Sequence, residues 1–231
     1  MDTGQQYPPV SDRWARVRLS LTIKLGESLD SKLAMPDPLY LSLWFPDFEG
    51  PAMLPHMLAV LQQFPFSEQR SGIAYVAVQP VSWNEASVLE RRFSPGIPPQ
   101  EAIVIAADLI HDDYAYVFEV YWDLWVRSES APDWHLEPSL VRIIAEGEEF
   151  EERTANETGH IQIELGLDSL FVPEDAGLSD ENQAKVRDNV KKLIEFTGKL
   201  QLNMRATSRR LWSESDETLA QKLIAGLQRV Q

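Results

Sequence analysis

From Tyr114 to Val126 the chain alternates without a break. Tyr114, Tyr116, Phe118, Val120, Trp122 and Leu124 fall on one side of an extended segment. Successive side chains of a strand point to opposite faces. The segment is therefore predicted to bury that series and to present Glu119, Tyr121, Asp123 and Trp125 on its other face.

The rest of the first half is read around this strand. Val17, Leu19, Leu21, Ile23 and Leu25 alternate with polar residues, the period-two mark of a half-buried strand. Tyr40–Phe45 repeats it, with Leu41, Leu43 and Phe45 on one face and Tyr40, Ser42 and Trp44 on the other. Gly50-Pro51 opens a helix in which Met53, Leu54, Met57, Leu58 and Leu61 form one apolar stripe, and Pro65 ends it. Gly72–Val78 is apolar on both faces, as a central strand requires. Ala86–Phe93 reads as another strand, and Pro98-Pro99 opens a helix that runs to Ile110. From Tyr40 on, the order is β-α-β-β-α-β, the ferredoxin-like arrangement of two split crossover units.

Ser128–Pro138 is polar and contains prolines, so it reads as a linker. After it come a strand near Leu140–Ala145, a glutamate run and a strand near His160–Leu165. The amphipathic stretch Asp180–Thr197 predicts a helix stopped by Gly198. Leu200, Leu202, Met204 and Ala206 alternate like a strand that reaches towards Trp212. A last helix, capped by Ser213 or Ser215, carries Leu219, Leu223, Ile224 and Leu227. Leu124-Trp125-Val126-Arg127-Ser128-Glu129-Ser130 echoes Leu211-Trp212-Ser213-Glu214-Ser215. The expected fold is α+β: two ferredoxin-like modules packed through their antiparallel sheets, related by internal duplication. Residues 1–13 form a flexible arm, 14–130 the first module and 131–231 the second, joined in one body.

Charge narrows the partners. With 21 Lys+Arg against 36 Asp+Glu the net charge is −15. A nucleic-acid binder needs clustered cations for phosphate, and an anionic membrane surface would repel this chain. Neither is expected as a partner. There is no cysteine, hence no disulfide or thiolate site. The polar N-terminus lacks the apolar core of a signal peptide, so a cytoplasmic setting is expected.

No phosphate loop, dinucleotide fingerprint, zinc-peptidase helix or nucleophile elbow occurs in the chain. No cofactor or metal is expected. His111-Asp112-Asp113 has ligand chemistry but suits a helix end and the turn after it. His160, Gln162 and Glu164 would share one strand face. Glu146, Glu148, Glu149, Glu151 and Glu152 crowd five carboxylates into seven residues, expected to be solvated and suited to a basic partner. Seven tryptophans are many for this length. Tyr40, Trp44, Glu119, Tyr121, Asp123 and Trp125 combine aromatic and acidic side chains on strand faces opposite the apolar series, and are the candidate ligand-binding set. The leading expectation is a non-enzymatic acidic binding protein, of inhibitor or immunity type, that engages a basic protein. The alternative is a small-molecule-binding or enzymatic protein with its site between the two modules.

Overall fold

A computed structural model describes residues 37–128, 131–172 and 179–213. The alternating segment at 17–25, the N-terminal arm and the last expected helix lie outside the described residues. Among the described residues the fold is mixed α+β. Seven strands, β1 (Pro38–Trp44), β2 (Ile73–Pro80), β3 (Leu89–Ile97), β4 (Tyr114–Ser128), β5 (Ala131–Glu146), β6 (Ile161–Leu167) and β7 (Ser208–Ser213), form one sheet. Their order is β3-β2-β4-β5-β6-β1-β7 and all pairs are antiparallel. Four helices accompany them: α1 (Met53–Gln63), α2 (Pro99–Ala107), the single turn α3 (Ala155–Thr158) and α4 (Asp180–Asn203).

This departs from two sheets stacked face to face. Strands of both halves share one sheet, and β1 pairs with β6 and β7 rather than with a strand of its own half. The expected linker is the cause. Residues 131–138 continue β5, which forms a long hairpin with β4 from Ala115↔Glu146 to Ser128↔Ala131. The hairpin carries the sheet from one half into the other.

One face of the sheet holds the core. Leu39, Leu41 and Leu43 of β1, Tyr116 to Val126 at alternate positions of β4, Val141, Ile143 and Ala145 of β5 and Ile161, Ile163 and Leu165 of β6 pack with α1, α2 and α4. Trp122 is fully buried there, its ring 5.9 Å from Phe64, 6.0 Å from Phe171 and 6.4 Å from Phe196. The alternation read from the sequence thus selects the buried face of β4.

Helix α4 runs through Gly198 instead of stopping there. Val186, Asn189, Leu193, Phe196 and Leu200 are its buried residues, spaced three and four apart. Burying Leu200 outweighs the cost of about 1 kcal/mol for an interior glycine. The alternation expected at 200–206 is therefore not realised as a strand, and β7 begins at Ser208. No described helix is long and apolar enough to cross a membrane.

Candidate functional site

The six residues expected to bind a ligand share the sheet face opposite α1, α2 and α4. Tyr40 and Trp44 project from it on β1, and Glu119, Tyr121, Asp123 and Trp125 on β4, because their neighbours in sequence point into the core. They lie on one face of one sheet, not between two.

Register assembles a row that local reading missed. Arg92, Tyr75, Glu119, Arg142, Glu164, Tyr40 and Trp212 are successive cross-strand partners over β3-β2-β4-β5-β6-β1-β7. At about 4.8 Å per strand the row spans about 29 Å. Its ends are aromatic. The Arg92 guanidinium lies 4.4 Å from the centre of the Tyr75 ring, and Tyr40 stacks on Trp212 at 4.7 Å. Its middle is ionic. Arg142 donates to Glu119 at 3.3 Å and pairs with Glu164 at 3.6 Å, while Arg92 reaches Glu119 at 3.5 Å. Burial pushes the Glu164 carboxyl above the usual range; Arg142 opposes that shift and Glu119 adds to it. Burial, and after it the Glu90 carboxylate, raises the Tyr75 phenol to about 12. Alternating charge of this kind fixes register and can hold a dipolar group. The signal for it was one arginine, Arg142, in the otherwise apolar run Leu140–Ala145.

Towards the hairpin tip, Tyr121, Asp123 and Trp125 face Leu140, Pro138 and Leu136 across the strands. Arg70 lies 4.7 Å from the Tyr121 ring centre and Lys185 lies 5.5 Å from that of Trp125. Trp44, at the opposite end of the face, accepts Thr207 N–H at its carbonyl, 2.7 Å.

The glutamate run divides. Glu146 is buried and accepts hydrogen bonds from the hydroxyls of Thr154 at 3.0 Å and Thr158 at 3.3 Å. Burial raises its carboxyl pKa in spite of them. It points from the last residue of β5 under α3, so the expectation of a solvated, partner-facing Glu146 is corrected. Glu148, Glu149 and Glu152 are exposed and Glu151 is half-buried. Their turn is tied down by its backbone: Glu149 N–H donates to Asp112 C=O at 2.8 Å and Glu151 N–H to Val81 C=O at 2.9 Å. Glu151, Glu152 and Arg153 follow one another at φ 41°, 58° and 70°, and Val81 stands at φ 60°. Gly147 permits the approach, since a Cβ there would come within 2.2 Å of the Asp112 carbonyl oxygen. Trp83, partly exposed, meets Phe150 edge-on at 5.1 Å beside this turn.

His111-Asp112-Asp113 is the turn expected of it. His111 Nδ1 lies 2.9 Å from Asp113 Oδ1, and Asp112 Oδ1 accepts Gly50 N–H at 2.8 Å. His160 does not join Gln162 and Glu164. It precedes β6, accepts Phe45 N–H at Nδ1 (3.0 Å) and stacks on Phe48 at 4.8 Å. His56 stacks on Phe45 at 4.4 Å. Burial lowers the pKa of both histidines. Compared with protein-family models, curated proteins and solved structures, the chain matches none.

Proposed function

We propose that this is a non-enzymatic acidic binding protein, of inhibitor or immunity type, that engages a basic protein partner through the turn after β5. The observation that carries the reading is the pairing of exposed carboxylates with an aromatic at one fixed place. Glu148, Glu149 and Glu152 stand in solvent beside Trp83, on a turn held by main-chain bonds to Val81 and Asp112. Three fixed carboxylates attract a cationic surface, and a chain of net charge −15 adds long-range attraction.

The test is capture by the immobilised full chain, with retained proteins identified by mass spectrometry. Retained proteins should be basic and should elute as salt rises above about 0.15 M, where the screening length drops below about 8 Å. The variant Glu148→Lys/Glu149→Lys/Glu152→Lys should retain none of them. Partners that are acidic, or that ignore both salt and the triple substitution, refute the reading.

A further inference from the structure

The outer part of the β4–β5 hairpin carries an apolar strip. Leu136 and Leu140 are 48% and 42% exposed. Single exposed leucines are ordinary, but these stand directly opposite Trp125 and Tyr121, with Pro138 between them. Beyond the reach of β2 and β6 the hairpin is only two strands wide. From Tyr121 to Ser128 it runs about 23 Å. One extended segment of eight or nine residues has those dimensions, whereas a folded domain would overhang them on both sides.

The strip ends at a hollow of about 390 Å³ lined by Asp133, Trp134, Ser179, Glu181, Asn182 and Lys185. Lys185 joins the two, for it lines the hollow and lies over the Trp125 ring. It is also paired with Glu181 at 3.0 Å, so Asp133 leaves the hollow with a net negative charge. The indole N–H of Trp134 is buried and has no hydrogen-bond partner among the described residues. A buried donor without an acceptor is costly.

We infer that this strip docks an extended segment of the basic partner, its apolar side chains on Leu136 and Leu140 and a cationic side chain at Asp133. The inference rests on the reading of a basic partner and adds a second contact, on a different part of the molecule from the glutamate turn. Charge complementarity chooses the occupant: along the strip and hollow the acids Asp123, Asp133 and Glu181 outnumber the cations Arg70 and Lys185, which leaves a net negative charge, and a second copy would bring its own net charge of −15.

The probe is the end-blocked peptide (Lys-Leu)4-Lys, with (Lys-Ser)4-Lys as its equally charged control, each titrated into the full-length protein by fluorescence anisotropy. The leucine peptide should bind at least about tenfold more tightly than the control, the factor expected for burying two leucine side chains. Leu136→Asp/Leu140→Asp should abolish that difference. That variant changes exposed positions only and should melt with the wild type, which separates lost docking from lost folding. Equal binding of the two peptides overturns the inference, as does absence of binding or leucine-peptide binding that survives Leu136→Asp/Leu140→Asp. If that surviving binding is lost in Glu148→Lys/Glu149→Lys/Glu152→Lys, the strip is excluded while the glutamate turn stands.

Discussion

Asn189 of α4 takes the place of a neighbouring strand for Trp125: its Oδ1 accepts the Trp125 N–H at 2.9 Å and its Nδ2 donates to the Trp125 carbonyl at 2.8 Å. A third bond runs from Nδ2 to Leu170 C=O at 2.9 Å. β2 stops pairing with β4 at Val120, which leaves the edge of β4 open from Tyr121 on. The edge is closed piecemeal, by Ser67 N–H on the Tyr121 carbonyl, Lys192 Nζ on the Asp123 carbonyl and Asn189 on Trp125. An edge covered in this way cannot recruit another chain.

Asn189→Leu should therefore destabilise the protein by about 3 kcal/mol, because several main-chain groups lose buried partners. Asn189→Asp keeps the acceptor for Trp125 N–H but loses both donated bonds, and should fare little better. Urea unfolding followed by far-UV circular dichroism checks both; an unchanged midpoint would show that water replaces the amide.

Trp122 and Trp125 are three residues apart on one strand and face opposite ways. Trp122→Ala should cost about 3–5 kcal/mol, as large aromatic truncations in cores do. Trp125→Ala should cost much less. Thermal unfolding of the two variants side by side makes the comparison; similar losses would mean that the hairpin face is itself a second core.

Glu119 meets two arginines, one 68% exposed and one 17% exposed in its side chain. Double-mutant cycles should give Glu119–Arg92 a coupling below about 1 kcal/mol, as for solvated pairs. Glu119–Arg142 should exceed it, since solvent screens that pair less. Equal couplings would contradict the burial order.

Acid should weaken the fold through its histidines. The folded-state pKa values of His56 and His160 lie below the ordinary 6.5. The unfolded chain then binds more protons, so their contribution is complete above pH 6.5 and is lost as pH falls through their folded values. Protonating His160 at Nδ1 also removes the acceptor of Phe45 N–H. His160→Asn, whose Oδ1 can accept that bond without titrating, should flatten the decline in unfolding free energy between pH 7.5 and pH 5.5 relative to the wild type. An identical slope would place the titration elsewhere.

Val81 is β-branched, 53% exposed and left-handed at φ 60°. Such a conformation costs an L-residue about 1–2 kcal/mol. Val81→Gly should stabilise the protein or leave it unchanged by chemical denaturation. A clear loss would mean that the valine side chain itself holds the turn.

What could be read from the sequence was local. β4 announced itself because each alternate residue is large and apolar, and α1 because its stripe recurs at helical spacing. The residues of β5 from Ala131 to Pro138 resembled a linker because prolines and polar residues are poor central strand formers. They pair nevertheless, for a reason visible only in the assembled hairpin. The inward hydrogen bonds of Trp125 and Asp123 go to α4, so their facing residues are non-bonded partners, and Pro138, opposite Asp123, needs no N–H there. Gly198 looked like a stop because its buried successor, Leu200, finds its partners in distant elements. The cross-sheet row was illegible for the same reason: it takes one residue from each of seven strands, and pairing register is not written in any one of them.

The placement of β1 between β6 and β7 has a consequence for biosynthesis. Trp212 Nε1 donates to Ser42 Oγ across 170 positions of chain. At about 5–20 residues per second, a ribosome emits β1 roughly 10–30 s before β7 exists. Until β6 emerges Leu39, Leu41 and Leu43 have neither flanking strand, and from then until β7 exists the apolar ribbon keeps one vacant edge. Chains stalled before Ser208 should consequently be clients of holding chaperones, and release from them should coincide with the arrival of β7.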